Sequence, residues 1–256
     1  MIDKRGLRVI IIVQARMGST RLPGKLFKEV LNKPLLAYLT ERLNRVKRAD
    51  ALLIATTVNP QDQKIVDFCK ANEIPYFRGS EEDVLNRYLK ASCGAAADII
   101  VRVCSDCPLI DPAVVDEVIN FYLEYYPLYD YVSNTLTRTF PRGMDVEIFS
   151  FQSLKDAAQR AFYPEEREHV TLYFNRHQDS YKLGNVLYKH DESQHRWTLD
   201  TEEDFLLISK VLTAIYPGKP QFTLQDLLQL FQEHPEWAQI NAHVQQKKVT
   251  DCSSSC

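Results

Sequence analysis

Twelve residues near the start of the chain, Gln14-Ala15-Arg16-Met17-Gly18-Ser19-Thr20-Arg21-Leu22-Pro23-Gly24-Lys25, gather two glycines, two hydroxyls, two arginines and a lysine. Glycine lets backbone amides approach phosphate oxygens, while arginine and lysine supply charge-assisted hydrogen bonds, so this stretch suits a triphosphate. It is not a Walker A loop. Five residues separate Gly18 from Gly24, one too many, and Leu26 stands where a Ser or Thr would ligate magnesium. Nor is it a G-x-G-x-x-G fingerprint. Composition alone would also allow a solvated basic loop, as the lesser reading.

Two carboxylates accompany it. Asp106, in Val103-Cys104-Ser105-Asp106-Cys107-Pro108-Leu109-Ile110-Asp111, directly follows an apolar run. A carboxylate facing a triphosphate suits Mg²⁺, which takes one or two carboxylates plus phosphate oxygens. Taken alone, Asp106 would be read first as a turn or capping aspartate, but Asp111-Pro112 fits the cap better and frees Asp106 for another role. Asp200, in Trp197-Thr198-Leu199-Asp200-Thr201-Glu202-Glu203-Asp204, is expected where a strand gives way to a helix. It is either a second metal ligand or an N-cap. Cys104 and Cys107 form a lone C-x-x-C, read as small buried apolar residues in preference to a zinc or redox pair.

These residues need a frame. Val9 to Val13 is a continuous apolar run of strand length, as for a strand covered on both faces. Pro34 opens a helix with Leu35, Leu36, Leu39 and Leu43 inward. Ala51 to Ala55 is a second strand, and Asn59-Pro60 starts a helix with Ile65, Val66 and Phe68 inward. Ser80-Glu81-Glu82-Asp83 reads as an N-cap followed by acidic residues. Asp98 to Val103 is a third strand and Pro112 starts another helix. Strands alternating with helices predict parallel βαβ units, with the ligand site beyond the carboxyl ends of the strands. Beyond about Tyr125 the regularity weakens. Asp145 to Phe149 reads as a strand, Pro164 to Arg176 as a helical stretch, and Thr201 to Asp204 as a capping-box start. Tyrosines crowd between Tyr122 and Tyr131, suiting either core or a homodimer surface. His177, His190, His195, His234 and His243 carry no usable pattern.

The composition is that of an ordinary globular protein: 45% hydrophobic, 25% charged, net charge −3, with no excess of positive charge to suggest nucleic-acid binding. The first apolar run is far too short to span a membrane. Six scattered cysteines do not make a secreted disulfide framework, so a cytoplasmic protein with reduced thiols is expected. A single domain over residues 1–248 is predicted, with an insertion at about 125–180 and a flexible tail at 249–256.

Taken together, the segments resemble the cytidylyltransferases that activate 3-deoxy-sugar acids and sialic-type acids as CMP derivatives, above all their spore-coat-polysaccharide branch. Six blocks carry the resemblance in order over about the first 210 residues. They are Val13 to Lys25, Phe77 to Leu85, Asp106 to Asp111, Pro141 to Glu147, Arg167 to Thr171, and Trp197 to Thr201. The resemblance implies a GT-A-like, Rossmann-type α/β fold with a mostly parallel central sheet flanked by helices and a small dimerisation or acceptor insertion. It implies CTP as nucleotide, Mg²⁺ held by Asp106 and Asp200, and a sugar acid, ulosonic or nonulosonic, as acceptor. Arg16, Lys25 and Asp106 would act in catalysis. Gln14, Ala15, Arg16, Gly18, Ser19, Thr20, Arg21, Lys25, Gly79, Asp83 and Val84 would bind the nucleotide. Arg142, Asp145, Glu147, Glu168 and His169 would line the acceptor side. A homodimer is also implied. Ser105 departs from the family pattern, which places glycine before the aspartate. That change is tolerable unless the position needs positive φ. A glycosyltransferase of the same broad fold would be expected to carry a D-x-D pair, absent at Asp106-Cys107-Pro108. UTP or dTTP enzymes have more glycine in the loop, and a non-catalytic binder would have little use for both aspartates.

Overall fold

The computed structural model describes residues 6–246. The expected tail at 249–256, with Cys252 and Cys256, lies outside them. In chain order the elements are β1 (Val9–Gln14), a 3-10 turn (Lys25–Phe27), β2 (Glu29–Val30), β3 (Lys33–Pro34), α1 (Leu35–Leu43) and β4 (Ala51–Thr57). A second 3-10 turn (Pro60–Asp62) leads into α2 (Gln63–Ala71), followed by β5 (Tyr76–Gly79), α3 (Val84–Gly94), β6 (Ile99–Cys104) and α4 (Pro112–Tyr125). Then come β7 (Tyr131–Ser133), β8 (Glu147–Ser150), α5 (Phe151–Arg160), α6 (Pro164–Glu168), α7 (Leu172–Arg176) and β9 (Leu183–Asn185). The described residues end on α8 (Glu202–Ile215), α9 (Leu224–Glu233) and a 3-10 turn (Pro235–Gln239).

One sheet runs β5-β4-β1-β6-β8-β7-β9. β5, β4, β1 and β6 are parallel, while β8 runs antiparallel to both β6 and β7, and β9 runs parallel to β7. The expected α/β architecture with a mostly parallel central sheet is therefore present. Residues 125–180, expected as an insertion, supply β7 and β8 beside β6, with α5 to α7.

β1 shows why such a strand reads as continuously apolar. Val9, Ile11 and Val13 pack into one core with α1, α4 and α8, whereas Ile10 and Ile12 enter a second core with α3 and α5. Both faces are covered, so every position must be apolar. The predicted inward leucines of α1 are all buried, and Pro34 caps the helix in an extended conformation. Phe68 is only half-buried, edge-on to Phe27, while Cys69 takes the deeper position beside Ile65 and Val66.

Three local expectations give way to stronger interactions. The cap of α3 is Asp83, whose carboxylate accepts the Asn86 N–H at 3.0 Å; Ser80 instead receives the Asp83 N–H at 3.1 Å. A carboxylate is the better partner for the positive end of a helix. The helical stretch from Pro164 to Arg176 is broken into α6 and α7, because Val170 takes φ 30° and buries its side chain completely. Trp197 to Asp200 forms no strand of its own; only the isolated parallel bridge between Arg142 and Arg196 marks that pairing. The tyrosine cluster divides: Tyr122 and Tyr131 are buried, whereas Tyr125 is exposed.

Candidate active site

The Gln14 to Lys25 segment leaves the central strand at the sheet's carboxyl edge and is tied down from beneath. The Met17 N–H donates to the Asp62 carboxylate at 2.7 Å, and Asp62, fully buried, also accepts the Thr57 hydroxyl. Leu22 plugs into the core, and Ser19 Oγ accepts the Leu22 N–H at 3.3 Å. Gly24 turns the chain at φ 67°, a left-handed value that suits glycine, so that Lys25 begins the 3-10 turn. Arg16, Thr20 and Arg21 stay exposed. The loop is thus fixed by apolar and backbone anchors while its two arginines and one hydroxyl face solvent.

Lys25 faces a wall of carboxylates. Its ammonium donates to Leu199 O at 2.7 Å and to Asp200 Oδ1 at 2.9 Å, and it lies 3.4 Å from Asp106 Oδ2. Arg21 and Arg196 approach the other oxygen of Asp200 at 3.1 and 3.4 Å. Burial alone would lower the Lys25 pKa, but Asp106 and Asp200 outweigh it and raise it. Burial likewise opposes ionised Asp200, yet Lys25, Arg21 and Arg196 hold its pKa below the ordinary carboxylate value.

The wall is built by stitching two distant segments. The Leu199 N–H and Thr198 hydroxyl donate to Asp106 O at 2.8 and 3.2 Å, and the Trp197 N–H donates to Arg142 O at 2.8 Å. This crossing requires Gly143. At φ 100° a Cβ there would stand 2.5 Å from Trp197 O. Asp204, also fully buried, grips Arg196 through two bonds of 2.9 Å and accepts the Asp200 N–H at 2.9 Å. Ser105 is not among the residues with positive φ, so serine replaces the expected glycine without strain. Cys107 donates its thiol to Asp106 Oδ1 at 3.5 Å, and burial pushes the Cys104 thiol up to about 12. The described cysteines are free thiols, and among the described residues no group of three or more His, Cys, Asp or Glu side chains could hold a metal.

The remaining predicted residues divide. Gly18 lies against the Glu81 carboxylate, and Arg16 spans from Glu81 at 3.3 Å towards Glu168 at 3.9 Å. Gly79 closes β5 against Arg87, Val84 is buried, and Asp83 adds an ion pair with Arg167 at 2.7 Å. Ala15 is buried, its N–H bonded to Ala55 O at 3.1 Å. Arg142 is half-buried beside Arg138 and Arg196. Asp145 is held by Arg138 through bonds of 2.6 and 2.8 Å. Glu147 is bound by Arg102, by Tyr131 at 2.7 Å and by Thr171 at 2.6 Å. His169 sits at the break between α6 and α7. Sequence spacing does not single out Asp62, Arg102, Arg138 or Arg196 as site residues. Arg102 alone carried a plain signal, a charge inside a buried apolar strand that must find a partner.

The family model described as "Cytidylyltransferase" matches residues 10–249. The chain belongs to the cytidylyltransferase family. Among relatives of this cytidylyltransferase chain, the spore coat polysaccharide biosynthesis protein SpsF of Bacillus subtilis is 32% identical over 237 residues, covering 90% of this chain and 96% of that protein. A 3-deoxy-manno-octulosonate cytidylyltransferase of Geobacter metallireducens is 30% identical over 115 residues, 44% of each chain. A cytidylyltransferase structure from Leptospira borgpetersenii superposes with TM-score 0.87 at 33% identity, covering 94% of this chain and 99% of that one. The structure of a CMP:2-keto-3-deoxy-manno-octonic acid synthetase complexed with CTP shares the fold, with TM-score 0.63 at 17% identity over 80% of this chain and 98% of that one. Among the described residues no helix is long and apolar enough to cross a membrane.

Proposed function

We propose that this chain transfers CMP from CTP to a sugar acid of the ulosonic or nonulosonic type, releasing pyrophosphate, in surface polysaccharide biosynthesis. The observation that carries this reading is the single Lys25 ammonium shared by Asp106 and Asp200, beside Arg21, at the carboxyl edge of the parallel sheet. A cation already sits between the two carboxylates, and these hard oxygens would leave further positions to phosphate oxygens and water. That donor set fits Mg²⁺, with Asp106 and Asp200 as its holders. The ion would supply charge to polarise the α-phosphate.

The protein's own residues position and neutralise. An acceptor oxygen attacks the α-phosphorus in line, and the bond to the oxygen bridging towards the β-phosphorus breaks. Lys25, Arg21 and Arg16 would hold the phosphates and stabilise the leaving pyrophosphate, with Ser19 and Thr20 as hydroxyl donors. Gln14, Ala15, Gly18, Gly79, Asp83 and Val84 would frame the nucleotide. Arg142, Glu147, Glu168 and His169 would line the acceptor side, and Asp145 would act there through Arg138. The reading includes a cytoplasmic homodimer. Its interface would lie near edge strand β9, where Tyr125 and Leu128 are exposed.

A pyrophosphate-release screen tests the reaction, crossing four nucleoside triphosphates with a panel of sugar acids, with and without Mg²⁺. Release is expected only with CTP, a sugar acid and Mg²⁺ together. Release with another nucleotide, or without the dication, would overturn the corresponding assignment.

A further inference from the structure

Gln14 is the last residue of β1, in register with Ala55 of β4 and Cys104 of β6 at the carboxyl edge of the sheet. Arg102, two residues before Cys104, donates from Nε and Nη2 to Gln14 Oε1 at 3.4 and 3.3 Å. A guanidinium has donors only, so the side-chain oxygen of Gln14 must face it and the NH₂ group must face away. Among the described residues that NH₂ group has no partner, and Gln14 is half-buried. The other side of Arg102 pairs with Glu147, whose Oε1 also accepts from Tyr131 and Thr171. Side-chain exposure is 11% for Arg102 and 13% for Glu147. A buried ion pair of this kind adds little net stability over apolar residues of the same volume. What it provides here is an amide whose orientation is fixed by chemistry, its donors turned away from the guanidinium at the edge where ligands of such sheets bind.

We propose that Gln14 donates a hydrogen bond to the CMP portion of the bound nucleotide and that Arg102 is the positioning residue that fixes it. This rests on the nucleotide reading above. A neutral donor selects by geometry more than by charge, which suits the base, ribose or α-phosphate. The β- and γ-phosphates fall to Arg21 and Lys25, which gather at Asp106 and Asp200.

Titration calorimetry with CTP, CMP and inorganic pyrophosphate separates the possibilities. Gln14→Met, close in volume and unable to donate, should weaken CTP and CMP about tenfold while leaving pyrophosphate affinity unchanged. Arg102→Lys should give an intermediate loss that does not add to that of Gln14→Met. Should an unpaired Glu147 unfold the Arg102→Met variant, the double variant Arg102→Met, Glu147→Leu removes both charges. It should match Gln14→Met in its CTP affinity. CTP binding by Gln14→Met equal to wild type would overturn the proposal, as would an equal loss for pyrophosphate. Failure of the wild-type protein to bind CTP would instead sink the nucleotide reading and this proposal with it.

Discussion

Replacing Lys25 by methionine should destabilise the ligand-free protein and at the same time make it more responsive to a divalent cation. The side chain is 14% exposed and its ammonium serves Asp200, Asp106 and the Leu199 carbonyl. Without it Asp200 keeps Arg21 and Arg196, but among the described residues Asp106 is left with the Cys107 thiol alone and the carbonyl loses its ammonium donor. Breaking a fully buried pair costs about 3–5 kcal/mol. Here Asp106 is 25% exposed and Asp200 retains two cations, so about 1–2 kcal/mol is the consistent figure. For a chain of this size that lowers Tm by roughly 2–8 °C. The two carboxylates then lack their internal cation, so Mn²⁺ or Mg²⁺ should raise the Tm of Lys25→Met by more than it raises that of wild type. The assay is thermal unfolding in chelator and across a dication titration, without nucleotide. An unchanged Tm in chelator would refute the energetic argument. Equal metal responses would refute the view that lysine and dication compete for one place.

Asp106→Asn should keep the fold, judged by an unchanged circular dichroism spectrum, while losing nearly all pyrophosphate release; wild-type turnover would remove Asp106 from the metal assignment. Gly143→Ala should cost about 3 kcal/mol or more in urea unfolding, since positive φ and the 2.5 Å approach to Trp197 O penalise the same Cβ. Asp200 has a lowered folded pKa, so its contribution is present above the unfolded carboxylate value of 3.8 and fades as pH falls through the lower folded one. The stability gap between wild type and Asp200→Asn should therefore be full at pH 6 and shrink on acidification below that value. Of the described thiols, exposed Cys93 should react quickly with a thiol reagent in the native state, whereas buried Cys107 should react only on unfolding.

The legible parts of this chain were those in which local pattern and global fold agree. The apolar run of β1, the leucine face of α1, the Asp111-Pro112 cap and the Thr201 to Asp204 capping box all follow from burial or backbone satisfaction, which sequence spacing records directly. Asp106 was placed at the sheet's carboxyl edge by the strand that precedes it. What spacing did not reveal depends on partners far along the chain. Asp62 reads as an ordinary helix-start residue, yet it is fully buried because the Met17 amide and Thr57 hydroxyl need it. Glu147 reads as a polar position on a half-exposed strand, and only the register of β8 beside β6 brings it to Arg102. The break at Val170 lies inside a good helical pattern, where a buried side chain overrides propensity.

Asp204 does more than start α8. Its carboxylate closes the capping box with Thr201, accepts the Asp200 N–H, pairs with Arg196 and receives the Asn241 side-chain amide at 2.8 Å. Asn241 also donates to Arg196 O at 3.0 Å, and Arg196 reaches Gln246 at 2.7 Å. Residues near the end of the described chain therefore act as a clasp on a carboxylate some forty positions earlier. Shortening the chain before Asn241 would leave α8 and the sheet in place while letting the Asp200 wall breathe. Faster hydrogen exchange at the Asp200 amide would report that loosening. The order of the candidate site would then be set by how firmly the last turn is fastened.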